Sequence, residues 1–214
     1  MLVIGEAGSG KSHLIQGINW FAHQHGLAKD LVLTSFQGRP VARLRNPAVR
    51  GYTTSTRYQV NSVEGNTPRE EQHNLEVLQN SCAGLSMEIQ DEFSLTAADH
   101  FSMCSRQAAK GLGHRAVRDA VFGGLHKIMV GDPMQHTPVE GASLWYSQAS
   151  SPAQAALANL QNRTKGFAKR TDTIMAGVAI FRQFTTVSIS PRSGPDLCII
   201  SNFYCIFNLD GYRR

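Results

Sequence analysis

The residues with the clearest chemistry lie in a glycine-rich segment at the start of the chain. Residues 5–12 read Gly-Glu-Ala-Gly-Ser-Gly-Lys-Ser, with the spacing G-x-x-x-x-G-K-S. Such glycines let successive backbone N–H groups converge on a polyanion, and a helix that starts near Lys11 points its positive dipole end at the same place. The pattern predicts a phosphate loop in which Lys11 meets the β and γ phosphates of a nucleotide and the Ser12 hydroxyl binds Mg²⁺. The predicted nucleotide-binding residues are Gly5, Ala7, Gly8, Ser9, Gly10, Lys11 and Ser12.

The sequence on either side of this segment supplies the elements that would position it. A strand-like run, residues 2–4, precedes the glycines, and an amphipathic run with Leu14, Ile15, Ile18 and Phe21 follows them. An ordinary glycine turn would leave the lysine and the serine unexplained. The strand–loop–helix context therefore favours nucleotide binding.

An acidic pair ends a second predicted strand. Residues 85–92 read Leu-Ser-Met-Glu-Ile-Gln-Asp-Glu. At the carboxyl end of a strand, Asp91 is placed to hold Mg²⁺ through water or Ser12, and Glu92 to orient and deprotonate an attacking water. A solvated Asp-Glu turn is the commoner fate of such a dipeptide, but the position at a strand end favours a catalytic role.

A third strand, residues 127–130, opens into the polar loop 131–139. The carboxyl edge of an α/β sheet is where ligand-binding groups gather. Asp132 and Gln135 in this loop are candidates to reach the γ phosphate or its water.

A basic stretch covers residues 39–57, which include five arginines and no acidic residue. Arginines interleaved with aromatic and hydroxyl side chains suit a single-stranded nucleic-acid track, because they neutralise phosphates and stack bases. A solvated basic loop is an equally good interpretation of the composition. The candidate DNA contacts are Arg39, Arg43, Arg45, Arg50, Tyr52, Thr53 and Arg57.

Length and composition set outer bounds. The 214 residues exceed one typical domain, and 21 Lys+Arg against 16 Asp+Glu give a net charge of +5, which permits a polyanionic partner. The 4 cysteines lie far apart without zinc-ligand spacing, which indicates reduced thiols in an intracellular protein. No apolar run approaches the length of a membrane span and no targeting signal is visible, so we expect no membrane partner.

The remaining elements predict an α/β fold: a mostly parallel sheet with helices on both faces and the ligand site at the carboxyl ends of the strands. We expect a strand at residues 31–34, a helix at 96–112 and an apolar segment at 176–184 that packs on the sheet. The polar residues 61–82 suggest a mobile insertion, with a short helix starting near residues 74–78.

Taken together, these blocks resemble one family, the Pif-one and RecD-type DNA helicases of superfamily one, group B. Residues 5–12 are similar to its G-x-A-G-T-G-K-S, residues 89–95 (Ile-Gln-Asp-Glu-Phe-Ser-Leu) to I-I-D-E-I-S-M, and residues 121–124 and 130–139 to F-G-G and V-G-D-x-x-Q-L-P-P-V. Residues 31–56 look like a diverged form of the family's strand, A-P-T-G turn and G-x-T-x-H segment. The departures are Ser35-Phe-Gln-Gly38 for A-P-T-G, Ser55 for the histidine, and two polar residues, Glu88 and Gln90, in a strand that should be almost wholly apolar.

The resemblance implies a RecA-like P-loop domain that binds ATP and Mg²⁺ and contacts DNA, which we expect to be single-stranded. It implies 5'-3' DNA unwinding in repair, recombination and telomere maintenance, with catalysis by Lys11, Glu92 and Gln135 and metal binding by Ser12 and Asp91. We expect residues 1–147 to form the first of the family's two RecA-like domains, 148–187 a diverged continuation and 188–214 an irregular tail. We expect the second domain, which would supply an arginine finger, to be missing, so the chain is interpreted as a truncated form with slow turnover.

Two other functions remain open from the sequence. One is a P-loop kinase or ATPase that acts on a small substrate, which predicts an acceptor pocket and no stimulation by single strands. The other is a nucleotide- and DNA-binding remnant without turnover. In a eukaryotic cell the helicase interpretation predicts a nuclear location.

Overall fold

A computed structural model of the chain describes residues 1–38, 49–60, 67–139, 141–144 and 167–189. Six strands form one sheet in these ranges. They are β1 (Leu2–Gly5), β2 (Leu31–Ser35), β3 (Arg50–Thr53), β4 (Met87–Asp91), β5 (His126–Gly131) and β6 (Thr186–Ile189). Their order is β3-β2-β4-β5-β1-β6 and every neighbouring pair is parallel. All six carboxyl ends therefore lie at the same edge of the sheet.

Five helices within the described ranges cover the sheet. They are α1 (Lys11–Gln24), α2 (Thr54–Tyr58), α3 (Pro68–Cys82), α4 (Ala98–Leu112) and α5 (Phe167–Phe181). Side chains alternate between two buried clusters, as the two-residue period of a strand requires. Val3, Ile89 and Val130 pack with α1 on one face, while Leu2 and Met129 pack with α3, α4 and α5 on the other. The predicted α/β fold with helices on both faces is confirmed.

Residues 68–82 are not the mobile insertion that their polarity suggested. They form α3, which begins with a capping box: Thr67 Oγ1 accepts a hydrogen bond from the Glu70 N–H, and the Glu70 carboxylate accepts one from the Thr67 N–H at 2.7 Å. Leu78 and Cys82 are buried in the cluster that α4 also lines. The sequence signal was present as Thr-Pro-Arg-Glu, a capping box with proline at the first helical position. Residues 61–66 lie outside the described ranges.

The chain after residue 166 returns to the same sheet. α5 packs along α4, and β6 lies parallel to β1 with Val3 opposite Val187. The apolar segment expected at 176–184 thus corresponds to the end of α5 and the turn that follows it. Among the helices in the described ranges, none is long and apolar enough to cross a membrane.

Glu88, one of the three polar residues of β4, is held by partners on the α4 face. Glu88 is fully buried and accepts hydrogen bonds from Lys127 Nζ at 2.7 Å, from Thr34 Oγ1 at 2.5 Å and from the Tyr58 hydroxyl. Lys127 lies opposite Glu88 in the β4–β5 register, and its ammonium is 4.4 Å from the centre of the Phe122 ring. This network joins three strands and α2, so Glu88 is satisfied rather than out of place.

The charge on Glu88 depends on these partners. Burial alone raises the pKa of a carboxyl group, but the positive charge of Lys127 and the hydrogen bonds from Lys127, Thr34 and Tyr58 outweigh it and hold the pKa of Glu88 below its usual 4.5. A folded-state pKa that lies below the unfolded value stabilises the protein above that unfolded value. The contribution is lost as the pH falls through the folded-state pKa.

A close helix crossing fixes α5. At Gly177 a Cβ atom would overlap the backbone carbonyl of Ala98 at the start of α4, so only glycine allows this approach. Ile174 and Val178 flank the crossing and are buried with α4. The tight contact therefore places α5, and the strand β6 that follows it.

We expect Lys127→Met to lower the free energy of unfolding by about 3–5 kcal/mol, because it leaves Glu88 buried without its cation. Denaturant titration measures the loss, which should shrink as the pH falls below the usual glutamate range. The control is Arg118→Met, which breaks an ion pair whose side chains are 97% and 92% exposed and should change stability little. Equal effects of the two variants would contradict the importance of the buried pair.

We expect Gly177→Ala to lower the thermal midpoint, since backbone atoms must move to admit the methyl group. Gly17→Ala is the matched helix variant: an added Cβ there has nothing within 4 Å, so removal of glycine flexibility should stabilise by about 0.5–1 kcal/mol. Differential scanning calorimetry of both variants should give shifts of opposite sign. A stabilised Gly177→Ala variant would show that the α4–α5 crossing is looser than described.

Candidate functional site

Three neighbouring strand ends gather the predicted site residues. β5 lies between β1 and β4, so Gly5, Gly131 and Asp91 end side by side at the carboxyl edge of the sheet. The glycine-rich segment follows β1, the acidic pair ends β4, and the loop with Gln135 follows β5. Parallel pairing alone thus brings together segments that are far apart in the chain.

The glycine-rich segment forms an open loop that leads directly into α1. Gly8 and Gly10 have φ of 78° and 90°, a left-handed backbone that favours glycine, and an added Cβ at either would meet nothing within 4 Å. Gly10 is the N-cap of α1, whose first turn contains no acidic residue. The positive end of the helix therefore faces an unobstructed loop, the arrangement that binds anions.

Lys11 bends back over this loop. Its ammonium donates to the carbonyl oxygens of Gly5 at 2.7 Å and Glu6 at 2.8 Å. Within the described residues, the buried Ser9 hydroxyl oxygen has no hydrogen-bond partner, and the Ser12 side chain is exposed. A positive charge, an unpaired hydroxyl and open backbone thus lie together where phosphate oxygens would be bound, and these residues fit a nucleotide.

Asp91 is the most perturbed titratable group of this edge. It is 8% exposed, and burial followed by the negative charge of Glu92 raises its pKa to about 6, while Lys11 and a hydrogen bond from the Glu92 N–H at 3.0 Å act in the opposite direction. The effect of Lys11 on Asp91 means that the ends of β1 and β4 share one electrostatic environment. A buried carboxylate with too little positive charge around it is a fit ligand for a divalent cation.

Backbone geometry aims Glu92 away from the strand. Its φ of 53° and ψ of 46° are left-handed, which is uncommon for a residue with a Cβ. The turn Phe93–Leu95 that follows is buried, and the Phe93 ring stacks on Phe181 of α5 with centroids 5.8 Å apart. The partly exposed Glu92 side chain is thus held by packing next to it, as is common where backbone strain serves a site.

Gln90 is a site residue that the sequence did not identify as one. Its side-chain amide donates to the Thr96 hydroxyl at 2.7 Å, and both groups are buried. The bond spans the turn that carries Asp91 and Glu92, so Gln90 positions the acidic pair. The sequence did contain one indication of this role. A polar residue in a strand that is buried on both faces needs a hydrogen-bond partner, and Gln90 is such a residue.

The loop after β5 is ordered by Asp132. Its carboxylate accepts a hydrogen bond from the Met134 N–H at 2.9 Å, and its carbonyl accepts one from the Gln135 N–H at 3.3 Å. Asp132 is buried, whereas the Gln135 side chain is exposed. The exposed Gln135 side chain therefore lies at the predicted edge of the sheet, and the hydrogen bonds of Asp132 hold the loop that carries it.

No preformed metal cage is present among the residues that the structure describes, where no three His, Cys, Asp or Glu side chains converge. Mg²⁺ is usually held by one or two carboxylates together with substrate phosphates and water. Asp91 and Ser12 fit that pattern.

The candidate DNA contacts are divided by the structure. Arg39, Arg43 and Arg45 lie outside the described residues. Tyr52 and Thr53 are partly exposed at the carboxyl end of β3, where the Thr53 hydroxyl also caps α2 by accepting from the Thr56 N–H. These two residues lie on the same edge as the phosphate loop.

Arg50 and Arg57, the two candidate arginines that the structure describes, do not lie at that edge. Arg57 is 4% exposed and donates to Ser81 Oγ at 2.6 Å and Cys82 Sγ at 3.2 Å, so its prediction as a DNA contact is wrong. Arg50 begins β3 and donates to the Lys29 carbonyl, roughly 10 Å along the strand from its carboxyl end. The charge and spacing of the arginines in the sequence could not show that Arg57 lies on the inward face of α2 rather than on a basic surface.

Comparison with known proteins agrees with this geometry. A family model described as an AAA domain matches residues 1–175. No curated protein sequence matches the chain. One similar solved structure is Bacteroides Pif1 bound to ssDNA, with a TM-score of 0.51 and 20% identity over 89% of this chain and 38% of that one. Another is Pif1 helicase from Candida albicans, with a TM-score of 0.55 and 16% identity over 89% of this chain and 36% of that one. A third is Bacteroides Pif1 in complex with ADP-AlF3 and ssDNA, with a TM-score of 0.53 and 18% identity over 94% of this chain and 41% of that one. The chain thus has the fold of part of these helicases and spans about two fifths of their length.

We expect Asp91→Asn to stabilise the fold by about 3 kcal/mol at pH 7, because ionisation of a carboxyl whose pKa is about 6 rather than 3.8 costs folding energy. Because its pKa is raised, Asp91 stabilises the wild type most below pH 4, where the carboxyl is protonated. That stabilisation is lost as the pH rises through 6, so the extra stability of Asp91→Asn over wild type should grow between pH 4 and pH 6. Urea titrations across that range measure it, with exposed Asp119→Asn as control. A pH-independent difference would contradict the assignment.

Proposed function

The chain belongs to the AAA domain family, and from this premise we propose that it binds ATP with Mg²⁺ and hydrolyses it as the first RecA-like domain of a DNA helicase. The observation that carries the proposal is the convergence of Lys11 and Asp91. A phosphate loop and a buried, cation-poor carboxylate lie within electrostatic reach of each other at one sheet edge. That combination serves a metal-bound triphosphate better than any ligand without a metal.

Phosphate binding falls to the loop and the start of α1. The backbone at Gly8 and Gly10, the buried Ser9 hydroxyl and the dipole of α1 face the same opening. Lys11 exchanges its two carbonyl partners for phosphate oxygens, which are the stronger acceptors for an ammonium group. Lys11 therefore already lies in the loop that would hold the phosphates.

Hydrolysis falls to the acidic pair. Ser12 and Asp91 hold Mg²⁺, which supplies charge neutralisation of the phosphates when bound. Glu92, displaced from the strand by its left-handed backbone, orients the attacking water and accepts its proton. Gln90 keeps both carboxylates in place through Thr96.

Coupling to DNA falls to the neighbouring strand ends. Gln135 lies on an ordered loop at the same edge and responds to loss of the γ phosphate. Tyr52 and Thr53, at the end of β3, belong to a track for single-stranded DNA, as do Arg39, Arg43 and Arg45. Bacteroides Pif1 was solved with ssDNA, which supports this partner for a chain of the same fold. The domain would then take part in DNA unwinding with 5'-3' polarity, in repair, recombination and telomere maintenance. In a eukaryotic cell it would act in the nucleus.

The test is steady-state ATP hydrolysis by the purified chain with and without single-stranded DNA. We expect a slow Mg²⁺-dependent rate that DNA raises and that Glu92→Gln lowers at least a hundredfold, because a positioned general base contributes about 10²–10⁴-fold. Glu92→Gln should still bind ATP, whereas Lys11→Ala should not.

Two outcomes would contradict the proposal in different ways. ATP and DNA binding without Glu92-dependent turnover would identify a binding protein that does not hydrolyse ATP. Turnover that depends on Glu92 but ignores DNA, and rises with a small phosphate acceptor, would favour a kinase or small-substrate ATPase.

A further inference from the structure

An aromatic pair beside the DNA track has no part in either apolar cluster. Phe36 directly follows β2 and is partly exposed, and within the described part of the chain it belongs to neither buried cluster. Its ring meets the His100 ring edge to face, with centroids 5.8 Å apart and planes at 79°. A phenylalanine held by a histidine rather than by the core has a surface left for a ligand.

Three elements converge on this pair. Ser35 lies opposite Thr53 in the β2–β3 register, so the chain leaves both strands at the same level. His100, in the first turn of α4, reaches across to Thr54, whose Oγ1 is 3.1 Å from its Nε2. Phe36 is thereby fixed beside the end of β3, where Tyr52 and Thr53 lie.

The chemistry of the pair favours a base over a phosphate. Burial, and to a smaller extent the positive charge of Lys127, lower the pKa of His100 against the opposing charge of Asp99, which favours the neutral imidazole. The carboxylate of the neighbouring Asp99 accepts a hydrogen bond from the backbone N–H of His100 at 2.9 Å, so negative charge lies close by. A phosphate would meet that charge, whereas a base offers an uncharged π face to Phe36.

We infer that Phe36 is a base-stacking residue for single-stranded nucleic acid, and that His100 is a positioning residue that holds its ring. This site rests on the proposed function, since it deepens the DNA track of the same sheet edge. It also assigns a role to the unusual Ser35-Phe-Gln-Gly38 turn. At this turn the chain binds bases, and phosphate contacts come from other residues of the track.

The test compares two labelled 12-mers of equal charge, an oligo-dT and an abasic strand, by fluorescence anisotropy with the full 214-residue chain. We expect wild type to bind oligo-dT more tightly, and Phe36→Leu to weaken oligo-dT binding about tenfold while abasic binding is unchanged. Trp20→Leu removes a side chain that is 63% exposed on α1 and should change neither affinity. His100→Gln, which can still hydrogen-bond Thr54 but lacks the ring, should lose part of the same preference for bases.

Phe36→Trp supplies a gain of signal in case the leucine variant folds poorly. The fluorescence of the introduced indole should be quenched by oligo-dT and not by the abasic strand. A base preference that survives Phe36→Leu, or indole fluorescence that stays unquenched while oligo-dT is bound, would overturn the inference and leave the proposed function intact. Failure of wild type to bind either strand would overturn both.

Discussion

The buried ion pair of Glu88 and Lys127 is the interaction on which the carboxyl edge of the sheet depends. Its side chains are 0% and 2% exposed, so neither charge is tolerated without the other. The pair ties β4 to β5, and through Thr34 and Tyr58 it also holds β2 and α2. Three residues further along β4 lies Asp91. The strand that carries the acidic pair is thus anchored by buried hydrogen bonds to β5 on one side and to β2 on the other.

That anchoring lets the edge retain groups that are unfavourable by themselves. Asp91 is buried with a raised pKa, Glu92 has a left-handed backbone, and the Ser9 hydroxyl lacks a partner within the described residues. Each costs stability by itself. In the proposed function, a metal ion would balance the charge of Asp91 and a phosphate oxygen would accept a hydrogen bond from Ser9. The cost is offset elsewhere, by the Gln90–Thr96 bond and by the packing of Phe93 against α5. The interior of β4 therefore supports the fold, while its end carries the acidic pair for which we propose a catalytic role.

Patterns of short range predicted most of this fold. The glycine spacing placed the phosphate loop, and apolar runs placed β1, β2, β5 and α4 within a few residues. The errors came where a local pattern carries no directional information. Arg57 belongs to a basic run, but the turn of α2 points it inward to Ser81 and Cys82. The start of helix α3 was placed near residues 74–78 instead of at Pro68, because the polar composition outweighed the capping box. The contacts of Gln90, and of His100 with Phe36, join residues far apart in the chain or across a turn, and no spacing rule predicts them.

Residues 5–12 and the end of β4 are proposed to form one site for a magnesium nucleotide. Hydrogen–deuterium exchange of the chain with Mg·ADP, with ADP in excess chelator, and without ligand tests this directly. Mg·ADP should slow exchange in residues 6–12 and in residues 90–93 together, and removal of the metal should release residues 90–93 first. Protection limited to residues 6–12 under both conditions, or found only on another surface, would show that Asp91 and Glu92 do not belong to the nucleotide site.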